Sequence, residues 1–204
     1  MRQPLGVILA GGLATRMGGG DKALLALGGR PLLSRVIDRL APQVADLALN
    51  ANGTADRFAR FRLPVLPDPV TDHPGPLAGV LAGLDWAAAQ GADSIVTAAA
   101  DTPFFPEDLV PRLLLAAEGM EMPMALAATW DAAVGERLQP TFGLWPVALR
   151  DDLRTTLAAG NRKVRAWAER HGARVAPFPV TGAFDPFFNI NTPDDLARAE
   201  TLIG

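Results

Sequence analysis

The 204-residue sequence contains no cysteine and only two histidines. Without cysteine the chain has no disulfide, no thiolate metal site and no cysteine nucleophile. The histidines, His73 and His171, are too far apart to show the close spacing of a zinc site, and we interpret both as structural or solvent-facing. A metal would therefore be bound through oxygen ligands, which favours Mg²⁺.

The sequence also lacks long apolar stretches and a strongly basic charge. No apolar stretch reaches the roughly 18 residues of a membrane span, and the apolar run 5–9 is too short for the core of a signal peptide. The net charge of −3, with both signs scattered, gives no basic surface of the kind that binds nucleic acid. We therefore expect a soluble, cytoplasmic protein that binds a small molecule, with no nucleic acid or membrane as partner.

Predicted strands and helices alternate along most of the chain. Apolar runs predict strands at 5–9, 23–27, 47–49, 64–66, 94–99, 124–129, 140–144 and 174–178, the last at a sheet edge. Helical spacing predicts helices at 31–40, 55–60, 77–90, 109–114, 147–158, 164–171 and 192–203. The alternation predicts an α/β sandwich with a mostly parallel sheet. The length and an apolar content of 49% suit one domain with one sizeable core.

The strongest functional signal follows the first predicted strand. The segment Leu9–Lys22 contains five glycines together with Arg16 and Lys22. Glycine lets main-chain N–H groups approach a ligand closely, so a strand that opens into such a loop with two cations suits a polyphosphate. The segment lacks the glycine spacing of the dinucleotide fingerprint, and it is no P-loop because Lys22 lies between Asp21 and Ala23.

Polar residues also follow three other predicted strands. These residues are Asn50, Asp68 and Asp101. Together with Gly11–Gly12 after the first strand, they place polar groups at the carboxyl ends of four predicted strands. Parallel α/β sheets bind their ligands at these ends. Asp101 is a candidate Mg²⁺ ligand, although a helix N-cap would also explain it. Asn50 could bind a base or ribose, or could be an ordinary turn residue, and Asp68 lies between two prolines in a typical turn.

The sequence Asn189–Asp195 combines a helix start with two asparagines. Thr192 fits the N-cap and Asp195 the third helical position, which explains the second half of the segment. It does not explain Asn189 and Asn191, which share one face of an extended segment. The basic cluster 162–165 is typical of a solvated helix start, and the alternative is an anchor for the phosphate of an anionic acceptor.

Taken in order, these segments resemble the molybdenum cofactor guanylyltransferases over nearly the whole chain. The resemblance lies in Leu9–Lys22, Asn50, Asp68, Gly75–Gly79, Asp101–Pro103 and Asn189–Asp195. Gly12 favours the guanylyl branch of the family, because the cytidylyl relatives tend to have Leu-Ala-Ala-Gly at this position. The sugar-transferring relatives tend to have Gly-Thr-Arg-Leu where this chain has Ala-Thr-Arg-Met at 14–17. One departure concerns Gln139, which precedes Pro140 where many relatives have histidine.

The resemblance implies a three-layer, Rossmann-like nucleotidyltransferase fold in a single domain, 1–204. The nucleotide-binding part would be about 1–105 and the acceptor-binding part about 106–204. The implied reaction transfers GMP from GTP to the terminal phosphate of molybdenum-molybdopterin and releases pyrophosphate. Proteins that insert or receive the finished cofactor are further partners that it allows.

The resemblance also assigns roles to residues. Arg16, Lys22 and Asp101 are expected to be catalytic, with Asp101 as the Mg²⁺ ligand, and Asn189 and Asn191 are assigned to the acceptor side. The expected nucleotide-binding residues are Leu9, Ala10, Gly11, Gly12, Lys22, Asn50, Asp68 and Asp101. Two alternatives stay open, a related transferase that uses CTP or a sugar-phosphate acceptor, and a nucleotide-binding module without catalysis. The presence of both cations and Asp101 argues against the second.

Overall fold

The computed structural model describes residues 2–11, 21–70, 75–131, 135–180 and 184–203. Within these ranges a seven-stranded sheet forms the centre. Its strands are β1 (Leu5–Leu9), β4 (Leu47–Asn50), β5 (Val65–Leu66), β6 (Ser94–Ala99), β7 (Ala125–Asp131), β8 (Gly135–Pro146) and β9 (Arg174–Pro179). A separate small hairpin consists of β2 (Ala26–Leu27) and β3 (Arg30–Pro31).

The helices follow the predicted order. They are α1 (Leu32–Leu40), α2 (Pro76–Ala89), α3 (Leu109–Ala116), α4 (Arg150–Ala158), α5 (Val164–Arg170) and α6 (Pro193–Glu200), with 3₁₀ turns at Lys22–Leu24, Ala41–Gln43, Ala55–Phe61 and Val147–Leu149. The alternation predicted from the sequence is therefore confirmed, with ends that shift by a few residues. The predicted strand 23–27 is wrong over its first half, because Lys22–Leu24 is a 3₁₀ turn and only Ala26–Leu27 is a strand, in the separate hairpin. The predicted helix 55–60 is a 3₁₀ turn. Of the helices within the described ranges, none has the length and apolar character needed to cross a membrane.

The sheet order is β5-β4-β1-β6-β8-β7-β9. Parallel ladders join β5, β4, β1 and β6, and another joins β7 and β9, whereas β8 is antiparallel to both of its neighbours. Six of these strands therefore run in one direction, which confirms the predicted mostly parallel sheet. The β7–β8 register is interrupted, because the partner of Leu126 is Gly143 and that of Ala127 is Gln139.

Helices cover both faces of the sheet and confirm the three-layer sandwich. Neighbouring residues of β1 belong to different cores: Ile8 packs with the helices α1 and α3, and Val7 packs with α2, α4 and α5. Every residue of β4 and β6 is buried. This burial on both faces is why the strands appear in the sequence as unbroken apolar runs.

The carboxyl ends of three adjacent strands meet at one edge of the sheet. Leu9 is in register with Asn50 on one side and with Ala99 on the other. Main-chain hydrogen bonds continue past the strands, from Ala10 N to Asn50 O at 2.9 Å and from Ala100 N to Leu9 O at 3.0 Å. The segments that follow β1, β4 and β6 therefore start side by side.

Candidate active site

A buried lysine joins three distant parts of the chain at the end of β6. Lys22 lies in a 3₁₀ turn, its side chain is 11% exposed, and its Nζ lies 2.6 Å from Asp101 Oδ2. The same ammonium group donates a hydrogen bond to Asn191 Oδ1. Lys22, expected at the triphosphate, thus contacts both Asp101, expected at the metal, and Asn191, which the resemblance assigns to the acceptor side.

The carboxylate of Asp101 is held by its neighbours. Thr102 Oγ1 lies 3.1 Å from Asp101 Oδ1 and also contacts Asn189 Oδ1, so that its one proton serves both acceptors. Ile190 N donates to the main-chain oxygen of Asp101 at 2.9 Å. The N-cap of α3 is Asp108, so the helix-cap explanation of Asp101 is wrong. No role was predicted for Thr102, although its position directly after Asp101 was the available signal.

The start of α6 fixes the position of Asn191. Thr192 and Asp195 form the predicted capping box, in which Asp195 N donates to Thr192 Oγ1 at 3.1 Å and Asp195 Oδ2 accepts from Thr192 N at 2.9 Å. Asp195 Oδ2 also accepts from Asn191 N at 2.9 Å. Burial alone would raise the pKa of Asp195, but the hydrogen bonds from Asn191 and Thr192 together lower that pKa below its usual value.

We expect Asp195→Asn to lower the free energy of unfolding at pH 7 by about 1 kcal/mol, the usual scale for a lost N-terminal cap. Because the folded-state pKa of Asp195 is depressed, its contribution is complete above the unfolded value near 4 and is lost as the pH falls through the folded value. Urea unfolding of both proteins between pH 3 and 7 measures this. A difference between the two proteins that stays constant over the whole range would contradict it.

A second group of polar residues lies at the end of β4. Asn50 is 4% exposed, and its amide nitrogen donates to Leu66 O at 3.0 Å and to Asp68 Oδ1 at 2.9 Å. Asn52 Nδ2 donates to Asp68 Oδ2 at 2.7 Å, and Asp68 N donates to Asn52 Oδ1 at 2.9 Å. Both carboxylate oxygens of Asp68 are therefore oriented. No role was predicted for Asn52, although its position two residues after Asn50 was the available signal.

The first turn of α2 closes over the ends of β1 and β4. Gly75 is its N-cap with φ +72°, a conformation that favours glycine, and Pro76 follows in the first turn. A Cβ atom at Gly79 would collide with Asn50 Oδ1 and with Leu9 Cδ2. Glycine at this position thus lets the helix start pack directly on the two strand ends.

The remaining predicted site residues fall into two sets. Leu9 and Ala10 lie at the end of β1 and directly after it, and Gly11 is exposed at the same edge. Gly12 and Arg16, like His73, lie outside the described residues. His171 lies at the C-terminal end of α5, with its Nε2 2.8 Å from Asp152 Oδ1 and its ring against Trp167.

The basic cluster 162–165 is separate from both polar groups. Arg162 and Lys163 line a groove of about 420 Å³ between α4 and α5. Arg165 forms an ion pair with Glu169, one turn along the exposed face of α5, at 2.6 Å. The contact of Arg165 agrees with the predicted solvated helix start.

The oxygen atoms at the end of β6 suit a divalent metal. Asp101 Oδ2 and Asn191 Oδ1 converge on one cation, the ammonium group of Lys22. In the described part of the chain, no group of three or more histidine, aspartate or glutamate side chains could hold a metal by itself. Mg²⁺ in nucleotide sites is commonly held by one or two carboxylates together with substrate phosphates, so these donors fit it.

Comparisons with known proteins identify the family. The family model of the MobA-like NTP transferase domain matches residues 6–175. A molybdenum cofactor guanylyltransferase of Cereibacter sphaeroides is 56% identical over 97% of this chain and 96% of its own length. A second, from Rhodopseudomonas palustris strain BisB5, is 53% identical over 96% and 92% of the two chains.

Solved structures share the fold. Molybdopterin-guanine dinucleotide biosynthesis protein A from Archaeoglobus fulgidus has a TM-score of 0.70 at 26% identity and covers 98% of each chain. The CTP complex of CMP:2-keto-3-deoxy-manno-octonic acid synthetase has a TM-score of 0.76 at 14% identity, a likeness of fold alone. Since the family model spans most of the chain and the relatives align over nearly all of it, the chain is a nucleotidyltransferase that belongs to the MobA-like NTP transferase family, among the molybdenum cofactor guanylyltransferases.

Proposed function

We propose that the chain transfers GMP from GTP to the terminal phosphate of molybdenum-molybdopterin, forming the guanine dinucleotide form of the cofactor. The observation that carries the proposal is the convergence of Lys22, Asp101 and Asn191 at the end of β6, at the same edge of the sheet as the oriented carboxylate of Asp68. One group supplies charge for phosphates, and the other supplies acceptors for a nucleoside. The relatives that are more than half identical to this chain are named molybdenum cofactor guanylyltransferases, and these names support the choice of substrates.

The chemistry is a substitution at phosphorus. An oxygen of the acceptor phosphate forms a bond to the α-phosphorus of GTP, while the bond from that phosphorus to the oxygen shared with the β-phosphorus breaks. Pyrophosphate leaves with the electron pair of the broken bond. The attacking oxygen is already anionic, so no general base is required. Positioning and charge neutralisation are the main demands on the protein.

We assign the phosphate side of the site to Lys22 and Asp101. The buried ammonium group of Lys22 would neutralise the triphosphate and the charge that develops on pyrophosphate. Asp101 and Asn191 would hold Mg²⁺, which would act as a Lewis acid and help to neutralise the charge of the triphosphate. Arg16 is proposed as the second cation.

We assign the nucleoside side to Asp68 and the main chain of Leu9–Gly12. The two oxygens of Asp68 are fixed by Asn50 and Asn52 and retain lone pairs for N–H or O–H donors of the nucleotide. Asn50 has both amide hydrogens engaged within the protein, so its proposed contribution to binding is the orientation of Asp68.

The acceptor would bind in the part 106–204, with Asn189 and Asn191 at its border with the nucleotide part. Gln139, where many relatives have histidine, is 6% exposed, and its amide donates to Thr129 Oγ1 at 3.3 Å. This glutamine therefore points into the protein and is not proposed as an acceptor contact.

We also propose a cytoplasmic location, where GTP is available. Proteins that insert or receive the finished cofactor are proposed as further partners.

The proposal is tested with labelled GTP, Mg²⁺ and purified molybdenum-molybdopterin. We expect a label on the α-phosphate to appear in the pterin product and a label on the γ-phosphate to appear in pyrophosphate, in equal amounts. Omission of the acceptor should stop pyrophosphate release. Pyrophosphate release at the same rate without acceptor, or α-label that remains in GMP, would contradict the transfer.

A further inference from the structure

The ion pair between Arg57 and Asp21 links the two polar groups of the nucleotide site. Arg57 lies in the 3₁₀ turn Ala55–Phe61, which follows β4, and Asp21 directly precedes Lys22. Arg57 Nε is 2.5 Å from Asp21 Oδ2, and the two side chains are only 25% and 18% exposed. The N–H group of Nε does not point at a hydrogen-bond acceptor, so the contact is an ion pair of two largely buried charges.

The other nitrogens of Arg57 hold the turn after β4. Nη1 donates to Thr54 O at 2.5 Å, and Nη2 donates to Asn52 O. The planar guanidinium can make both hydrogen bonds at once because its Nη donors form a rigid fork, while its charge faces Asp21. Gly53 lies in this turn with φ +82°, and a Cβ atom there would approach Arg57 Nη1 to 3.1 Å. The turn is thus built closely around the arginine.

Each end of this link leads to one half of the site. Asn52, whose carbonyl Arg57 holds, exchanges two hydrogen bonds with Asp68 on the nucleoside side. Asp21, the ionic partner of Arg57, is adjacent in sequence to Lys22, which contacts Asp101 on the phosphate side. Contacts therefore run from Asp68 through Asn52 and Arg57 to Asp21. The main chain then joins Asp21 to Lys22, which contacts Asp101.

We propose that Arg57 is a positioning residue that fixes the distance between the nucleoside-binding group and the triphosphate-binding group. It touches neither substrate in this scheme, and it acts through Asn52 and Asp21. GTP engages both groups simultaneously, so a fixed spacing pre-organises the site for the intact triphosphate. The inference rests on the proposed nucleotide site.

Arg60 offers a matched control in the same turn. It is exposed, and its guanidinium stacks over Phe61 with 4.8 Å between Cζ and the ring centroid, much as that of Arg57 stacks over Phe58 at 4.6 Å. The variants Arg57→Met and Arg60→Met each remove one arginine of this type from one turn. Only the first breaks the ion pair with Asp21.

The test measures kcat and KM for both substrates, and the dissociation constants of GTP and GMP, in wild type and both variants. For Arg57→Met we expect kcat/KM for GTP to fall about 10- to 100-fold, the scale of a small misplacement of reacting groups. The KM for molybdenum-molybdopterin should change less than about twofold, as should all constants of Arg60→Met, since exposed charges contribute little. The affinity of GTP relative to GMP should shrink in Arg57→Met, because GMP does not span both groups.

Three outcomes would overturn the inference. The first is that the kinetic and dissociation constants of Arg57→Met stay within twofold of wild type. The second is that this variant loses equal affinity for GTP and GMP. The third is that kcat/KM falls equally for GTP and for molybdenum-molybdopterin. Should Arg57→Met fail to fold, Asp21→Asn breaks the same ion pair from the other side and carries the same expectations. Absence of GTP turnover in the wild-type protein would instead refute the proposed function, so the two failures are distinguishable.

Discussion

Replacement of Lys22 by alanine is expected to lower the rate of GMP transfer by about 10²–10³-fold, the loss typical for one charge-stabilising group. The ammonium group of Lys22 is buried against Asp101 Oδ2 at 2.6 Å, and water cannot easily substitute for it. Its removal leaves the triphosphate without this cation and leaves Asp101 without its partner. Single-turnover rates of pyrophosphate release at saturating GTP measure the effect.

The loss of a partner from a buried ion pair also destabilises a protein, so the Lys22→Ala measurement needs two controls. A thermal melt establishes the folded fraction of the variant at the assay temperature. Arg30→Met removes a cation from the nearby hairpin, where its ion pair with Asp38 is exposed, and should leave the rate unchanged. A rate of Lys22→Ala close to wild type would mean that the lysine serves only the fold.

Asp101→Asn is expected to lower the rate at least about 10³-fold, because a bound metal contributes several kcal/mol to charge stabilisation. The amide of asparagine retains the shape of the carboxylate. It has one neutral oxygen and one NH₂ donor in place of two oxygens that share a negative charge. The Mg²⁺ dependence of GTP binding, followed by calorimetry, gives a second readout besides activity. In the variant, the difference between GTP affinity with and without Mg²⁺ should largely disappear.

Asp93→Asn is the matched control for Asp101→Asn. Asp93 directly precedes β6 at the opposite edge of the sheet, and its side chain is exposed. Loss of this carboxylate makes the same chemical change at the other end of the same strand, and both rate and Mg²⁺ dependence should remain unchanged. Equal Mg²⁺ dependence in wild type and Asp101→Asn would remove Asp101 from the proposed metal site.

The core strands and the helices were predictable from the sequence because their patterns are local. β6 is buried on both faces and reads as a short apolar run, and α2 has apolar residues at helical spacing between Pro76 and Gly91. The rule that parallel strands gather ligands at their carboxyl ends also predicts, from the sequence alone, that Asn50, Asp68 and Asp101 lie at one edge of the sheet.

Contacts between distant residues had no such local signal. Asn191 follows Lys22 by 169 positions, and only the fold shows that its amide oxygen accepts from the lysine. Arg57 is one of two arginines in the turn Ala55–Phe61, and nothing in the neighbouring sequence indicates that it, rather than Arg60, pairs with Asp21. The first residues of β8 were missed because Glu136 and Arg137 are polar and exposed, and the irregular register with β7 hides the strand pattern.

The most direct test of the proposed function is the label-transfer assay run with GTP, CTP, ATP and UTP in parallel, with molybdenum-molybdopterin as acceptor. The GMP transfer proposed here predicts a product with GTP and rates with the other three triphosphates that stay near background. Equal transfer from CTP and GTP would contradict the assignment of guanine as the base that the site selects.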